Sequence, residues 1–255
     1  MRVWLVLSIL LTATAAFAQA PLVIDDASTT LQGKFHFEIF NQFATLPDSV
    51  LPADKQNTLV FTTNYGLLPN VELGADFPLI TITSITNRTG IGDFDFTVKY
   101  VPINAVYPQK KTGIGFTASV EFPTGDSKKS FGSGVTDYDT NVLVEQHVTE
   151  NAVLRFNAGI QFAGNTLTGL IGVRDRGEVI SGGASATYQC SPKLAIAGEF
   201  SGYQGRSRSA GDREIRVQGG FTYSFNPHLG IAAAIQHGNY ATPPMQIQTG
   251  LIIDP

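Results

Sequence analysis

The chain has 255 residues, 17 of them Lys or Arg and 21 Asp or Glu, so charge is dilute at 15%, against about 25% in an ordinary soluble domain. Glycine is abundant at 26 and apolar residues make up 43%, which excludes a disordered polyelectrolyte; no segment beyond the N-terminus approaches the apolar length of a membrane-spanning helix. The single cysteine, Cys190, excludes an intrachain disulfide framework and multi-cysteine metal sites, and a net charge of −4 without a Lys/Arg-rich run argues against nucleic acid as a partner. An all-β protein remains, soluble or membrane-embedded.

In chain order, Arg2, the apolar run Val3 to Leu11 and Ala16-Phe17-Ala18 read together as a secretory signal peptide over residues 1–18. Cleavage is expected before Gln19; a cut after Ala20 is the alternative, disfavoured because Pro21 would follow it directly. Removing Arg2 leaves 16 basic against 21 acidic residues, a net charge of −5. Residues 19–33 show no sustained alternation and are expected either as a plug received by a narrow lumen or as a frayed tail, with the tail slightly favoured. The barrel is expected over 34–255.

From residue 34 onward the apolar spacing has period two, the pattern of strands with two unlike faces. In Gly92 to Tyr100, Phe94, Phe96, Val98 and Tyr100 alternate with Asp93, Asp95, Thr97 and Lys99. In Ala152 to Phe162, Leu154, Phe156, Ala158, Ile160 and Phe162 alternate with Arg155, Asn157, Gly159 and Gln161. Twelve such segments are read, near 34–43, 57–65, 71–77, 92–100, 112–122, 137–145, 152–162, 179–190, 193–203, 214–225, 228–238 and 245–253. The first, second, eighth and last are blurred by Gly, Thr and mixed residues.

The connections alternate in length. Long polar stretches run over Pro78 to Ile91, Pro123 to Thr136, Ala163 to Glu178 and Gln204 to Arg213, and mostly short turns lie between them, such as Ser191-Pro192 and Asn226-Pro227. Long loops on one side and short turns on the other are the habit of outer-membrane barrels; only Val101 to Lys111 is longer than a turn should be. A weak hairpin repeat agrees, with Asn70, Lys111, Asn151, Lys193 and His228 opening ascending strands at separations of 41, 40, 42 and 35 residues.

The aromatic residues decide between a soluble sandwich and a membrane barrel. On the apolar face, Phe77, Phe94, Phe122, Tyr138, Phe162 and Phe200 fall at the long-loop end, and Tyr65, Tyr100, Tyr188, Tyr223 and Phe225 at the short-turn end. Two girdles flanking a band of Val, Ile, Leu, Ala and Gly suit a bilayer, whose interfaces accept amphipathic rings. A sandwich would gather its largest residues mid-strand. The expected architecture is a transmembrane antiparallel up-and-down β-barrel of about twelve strands, in contact with outer-membrane lipid.

Gly92-Asp93 within Thr89-Gly90-Ile91-Gly92-Asp93-Phe94, the run Phe122-Pro123-Thr124-Gly125-Asp126, and Gly132-Ser133-Gly134 leading to Thr136-Asp137-Tyr138 resemble the family described as "putative MetA-pathway of phenol degradation". The order and spacing look alike from about Gly66 to the C-terminus. The resemblance implies a bacterial outer-membrane barrel thought to pass small organic molecules. The chain departs from most such barrels at its end, Ile252-Ile253-Asp254-Pro255, where an aromatic residue commonly serves the assembly machinery.

Function is expected on the inward face. Asp76, Asp93, Asp95, Glu121, Asp137, Asp139 and Glu199 gather towards the long-loop end, with Arg216 as the main basic strand residue. Lower down, Glu72, Lys99, Glu145 and Arg155 are mixed in sign and could pair across the lumen. A carboxylate ring would favour cations; ordinary lumen solvation, with Lys128, Lys129, Arg174 and Arg176 neutralising the carboxylates, is the weightier reading. His36, His147, His228 and His237 show no ligand spacing, and neither a phosphate loop nor a nucleophile elbow is present. No cofactor and no catalysis are expected. The sequence therefore points to a passive channel for small molecules in the bacterial outer membrane. The alternatives are a non-conducting barrel that anchors or adheres, or a soluble β-sandwich of the periplasm or exterior that binds a ligand.

Overall fold

The computed structural model describes residues 22–46, 53–162, 178–204, 213–240 and 243–255. The expected signal peptide lies outside the described residues. Strands β1 (Phe35–Thr45), β2 (Lys55–Leu68), β3 (Val71–Thr83), β4 (Arg88–Ile91), β5 (Phe94–Ile103), β6 (Thr112–Phe122) and β7 (Asp137–His147) are followed by six more. These are β8 (Ala152–Phe162), β9 (Val179–Ser191), β10 (Leu194–Tyr203), β11 (Glu214–Asn226), β12 (Leu229–Tyr240) and β13 (Met245–Ile253). Each pairs antiparallel with its neighbours, and β1 pairs with β2 on one side and β13 on the other, so the sheet closes. Closure leaves no free edge, which is what a strand protein in lipid requires.

The staves number twelve, because β4 and β5 are two halves of one. Asp76 pairs with Asp95 and Leu79 with Ile91, so Phe77 and Pro78 face three residues, Gly92 to Phe94. That extra residue is a β-bulge, and Gly92 N still donates to Pro78 O at 2.8 Å. Most of the stretch expected as a loop over Pro78 to Ile91 is therefore strand. The strand continues with its polarity inverted, Ile80 and buried Ile82 falling on the inward parity of Glu72 and Asp76 and Thr81 and Thr83 on the outward one, and only residues 84–87 turn. The expected bounds of the strands at 112–122, 152–162 and 245–253 match those of β6, β8 and β13.

The alternation sorts the faces as a bilayer demands. Along β8, Leu154, Phe156, Ala158, Ile160 and Phe162 are exposed outward, while Arg155, Asn157 and Gln161 turn in. Contiguous exposed apolar surface of this extent would be a liability in water, whereas facing acyl chains it costs nothing. At the long-loop end Phe77, Phe94 and Phe122 form a row with ring centroids 4.8 and 5.8 Å apart. At the other end Tyr65 meets Phe35 at 4.8 Å, and Tyr223 meets Phe225 at 5.3 Å. Tyr138, Phe162, Phe200, Tyr100 and Tyr188 are likewise exposed.

The interior is unevenly filled. Between β1, β12 and β13, Phe40 packs with Ala232 and Ile252, lying so close to Gly250 that a Cβ there would stand 2.5 Å from the ring. Gln218, Gln236 and Gln248 are buried on the same side. Beside this packing the interior stays open, with Glu38, Thr62, Asp139, Gln161, Arg216 and Ile252 among the residues around the space.

Candidate functional site: the lumen

A cavity of about 1630 Å³ occupies the barrel. Its wall includes Asp139, Gln161, Ser181 and Arg216 near the long loops and Lys34, Asn226, His228 and Asp254 near the short turns, so it reaches from one end to the other. Between these lie Thr62, Asn64, Thr97, Ser119 and Asn141, hydroxyls and amides that solvate a polar solute without binding it tightly.

Residues 22–32 lie inside the lumen. At Gly33, where φ is +75°, the chain turns from β1 into the barrel, a backbone region that glycine adopts without strain. Gly33 N donates to Gly66 O at 2.7 Å, and Thr30 N donates to the Glu72 carboxylate at 2.6 Å. Ala27 packs with Val101 and Leu143. With its amide oriented to suit its neighbours, Asn157 accepts from Asp25 N at 2.6 Å and donates to Asp25 O at 3.1 Å. At the far side the Glu199 carboxylate accepts from Val23 N at 2.9 Å and Ile24 N at 2.8 Å.

The basic candidates Lys99 and Arg155 serve these interior contacts. Lys99 Nζ lies 2.7 Å from Asp25, 3.4 Å from Asp26 and 3.9 Å from Glu72. The pairing of Glu72 with Lys99 follows from the β3–β5 register, and that of Glu145 with Arg155 from β7–β8. Arg155 Nε donates to Glu145 at 2.8 Å, and His147 lies 3.1 Å from the same carboxylate. Burial alone would raise the Asp26 carboxyl. Lys99, Arg155 and a hydrogen bond from Ser28 N outweigh it and hold the group below the ordinary carboxylate range.

Above these residues the wall is acidic. Asp76 accepts from Thr62 Oγ1 at 2.5 Å and stands opposite Asp95, whose Oδ1 is enclosed without a hydrogen-bond partner. Asp95 faces Glu121 across β5–β6, and Glu121 faces Asp137 across β6–β7. Asp76, Asp95 and Asp139 line the cavity. Asp137 is fully buried and takes a hydrogen bond from Gln161 at 3.3 Å. Arg216 pairs with Glu214 and lies over the Tyr203 ring. Of the acidic candidates, Glu199 sits mid-barrel on the N-terminal segment, apart from the others.

Asp93 has a different task. It occupies the bulge and accepts from Gly125 N at 2.9 Å and Ser133 N at 2.5 Å, which ties the β6–β7 loop to the wall. Thr124 Oγ1 donates to Gly92 O at 2.9 Å and accepts from Phe94 N at 3.0 Å. Phe131 is buried against Gly90, where a Cβ would stand 2.4 Å from its ring. The three glycine-rich motifs are thus the two halves of one clasp. Beside it, Asp126 caps the short 3-10 turn Ser127–Lys129, and its hydrogen bond with Lys129 holds the carboxyl below its ordinary value.

At the short-turn end two histidines that look unrelated in sequence meet on Asp254. His36 Nδ1 lies 2.7 Å from its carboxylate and His228 Nδ1 2.6 Å from its carbonyl oxygen. His36 Nε2 is also 3.0 Å from Glu38. Among the described residues no group of three or more His, Cys, Asp or Glu could hold a metal ion, and Cys190 is free and exposed. Sequence reasoning passed over Asp25, Asp26 and Phe131, since nothing in their own neighbourhood marks them; their partners lie on distant strands.

The COG4313 outer membrane channel from Pseudomonas putida F1 superposes with a TM-score of 0.69 at 14% identity, covering 92% of this chain and all of that one. The KdgM porin gives 0.54 at 11% identity, with 86% and 98% covered. The CymD monoaromatic hydrocarbon channel gives 0.52 at 10% identity, with 88% and 89% covered. At such identities the likeness is one of fold, the closed outer-membrane barrel. No curated protein matches the sequence. The family model described as "Putative MetA-pathway of phenol degradation" matches residues 23–250, and the chain belongs to that family.

Proposed function

We propose that the protein is a passive channel of the bacterial outer membrane through which small organic molecules cross down their gradient. The observation that carries this reading is the cavity of about 1630 Å³, walled by residues from both ends of a closed barrel. Its hydroxyl and amide lining suits polar permeants. The cluster of Asp76, Asp95 and Asp139 disposes the outer lumen towards cations over anions, because carboxylates in a confined pore raise the local cation concentration. The barrel is read as a conduit, in which the buried Lys99 and Arg155 are engaged in structural ion pairs. Names of two structural neighbours, an outer membrane channel and a monoaromatic hydrocarbon channel, accord with this reading. Folding into the membrane would make the outer-membrane assembly machinery a partner.

The test is reconstitution of the folded chain in a planar bilayer. Discrete conductance steps with a cation-leaning reversal potential support the reading. A folded barrel that gives no steps favours the anchoring alternative.

A further inference from the structure

The first, second and last strands read as blurred in sequence, and polar residues behind that blurring meet at one place on the lipid face. Asn41 of β1 stands on the outward parity of Phe37 and Phe43, Asn57 of β2 on that of Phe61 and Tyr65, and Thr249 of β13 on that of Ile247 and Leu251. Register brings the three together. Asn41 lies opposite Thr249 across β1–β13, and Asn57 lies opposite Phe43 across β1–β2, one diagonal step from Asn41. Asn57 Nδ2 donates to Asn41 Oδ1 at 2.8 Å. Asn41 is six residues beyond Phe35, whose ring meets Tyr65 of the lower girdle. At about 3.3 Å per residue and a tilt of about 40°, it stands roughly 15 Å above that girdle, inside an apolar band about 25 Å tall. Among the described residues the Asn41 Nδ2 donors, the Asn57 carbonyl and the Thr249 hydroxyl have no bond of their own, and acyl chains can offer them none.

We propose that a second copy of the chain docks on this patch within the membrane. A two-fold axis along the membrane normal keeps the patch at the same height in both copies, so it meets itself. Asn41 Nδ2 of each copy then donates to Asn57 Oδ1 of the other, two reciprocal bonds that use the donor and the acceptor left over from the pair within one chain. Thr249 beside Asn41 and Ala233 beside Thr249 are short, so the two walls can approach closely. Around this polar centre Phe37, Phe43, Ile247 and Leu251 are exposed and pack against the second copy in place of acyl chains. A lipid matches the patch less well, because its esters and sugars lie at the interface and not at this depth. The inference requires the membrane barrel and stands whether or not the lumen conducts.

The experiment counts subunits. Each chain carries one maleimide dye on Cys190, exposed on β9 and away from the patch, and bleaching steps are counted for single particles in dilute phospholipid vesicles. Heat-modifiable gel migration checks folding. Four proteins are compared: wild type, Asn41→Leu with Asn57→Leu, Thr249→Phe, and Thr140→Val. The last removes an exposed hydroxyl from β7, on the opposite side of the barrel. Both changes to the patch leave an apolar wall facing lipid, so the barrel itself should fold. Wild type and Thr140→Val should bleach in two steps. The leucine variant should bleach in one, its pairing constant lowered by about tenfold or more, as the loss of two hydrogen bonds made in lipid requires. Thr249→Phe keeps both amides but wedges the walls apart, and should also bleach in one step. Single steps from folded wild type overturn the proposal, and lipopolysaccharide retained by wild type but not by the leucine variant would then make a lipid the occupant. Two-step bleaching that persists in either patch variant overturns it as well, as does loss of pairing in Thr140→Val.

Discussion

Ala158→Arg tests the assigned faces directly. Ala158 is exposed on the outer side of β8, between Phe156 and Ile160 and opposite Val142 of β7. An eleven-residue strand rising about 3.3 Å per residue and tilted about 40° spans roughly 28 Å of bilayer height. As the seventh residue of β8, Ala158 sits near the midplane, where a barrel-exterior arginine costs about 2 to 4 kcal/mol. That is an equilibrium penalty of about 30- to 900-fold. The control is Ser181→Arg, whose side chain faces the cavity beside Asn141 and should alter stability by no more than about 0.5 kcal/mol. Reversible urea unfolding in phospholipid vesicles, followed by tryptophan-free circular dichroism, reads both. Equal effects of the two arginines would refute the register.

Asp93→Ala removes the acceptor for Gly125 N and Ser133 N, bonds of a charged type worth about 1.5 to 3 kcal/mol each. The β6–β7 loop should then be nicked by trypsin at exposed Lys128 and Lys129 much faster than in wild type, with the barrel intact. Changing Asp76 and Asp95 together to Asn should lower the cation-to-anion permeability ratio, most at low salt where screening is weakest; a wild-type channel that prefers chloride contradicts the acidic outer lumen. Asp26 supplies a pH dependence. Because its contacts in the lumen depress its carboxyl, its contribution to holding residues 22–32 in place is present above the ordinary carboxylate value and is lost as pH falls through the depressed one. Hydrogen exchange at Ser28, whose amide donates to the Asp26 carboxylate, should stay slow through neutral pH and rise in acid, and Asp26→Asn should remove that acid step.

Much of the barrel was legible because strand alternation is a local signal that lipid on one side and water on the other enforce at every position. Phe94 to Tyr100 and Leu154 to Phe162 show it without interruption, and β6 and β8 carry it to their ends. The broken stave was not legible. Pro78 and the paired glycines Gly90 and Gly92 read as loop, and only the pairing of 79–82 with 88–91 shows them to be wall. Site residues divide the same way. The partnerships of Glu72 with Lys99 and Glu145 with Arg155 follow from strand register, which alternation predicts. The contacts of residues 22–32 do not: Val23 and Ile24 reach Glu199 across 176 and 175 residues, and no pattern within 19–33 announces them. Asp93 showed as a motif residue placed on the lumen face, and only its contacts assign it to the loop clasp.

The central claim is that solutes pass through this lumen, and liposome swelling measures that most directly. Vesicles holding the folded barrel, placed in isotonic arabinose and then in larger neutral sugars, should swell faster than protein-free vesicles. The rate should scale with the gradient and fall steadily with solute size. Swelling no faster than in protein-free vesicles for every solute, with heat-modifiable migration showing the barrel folded, would contradict it.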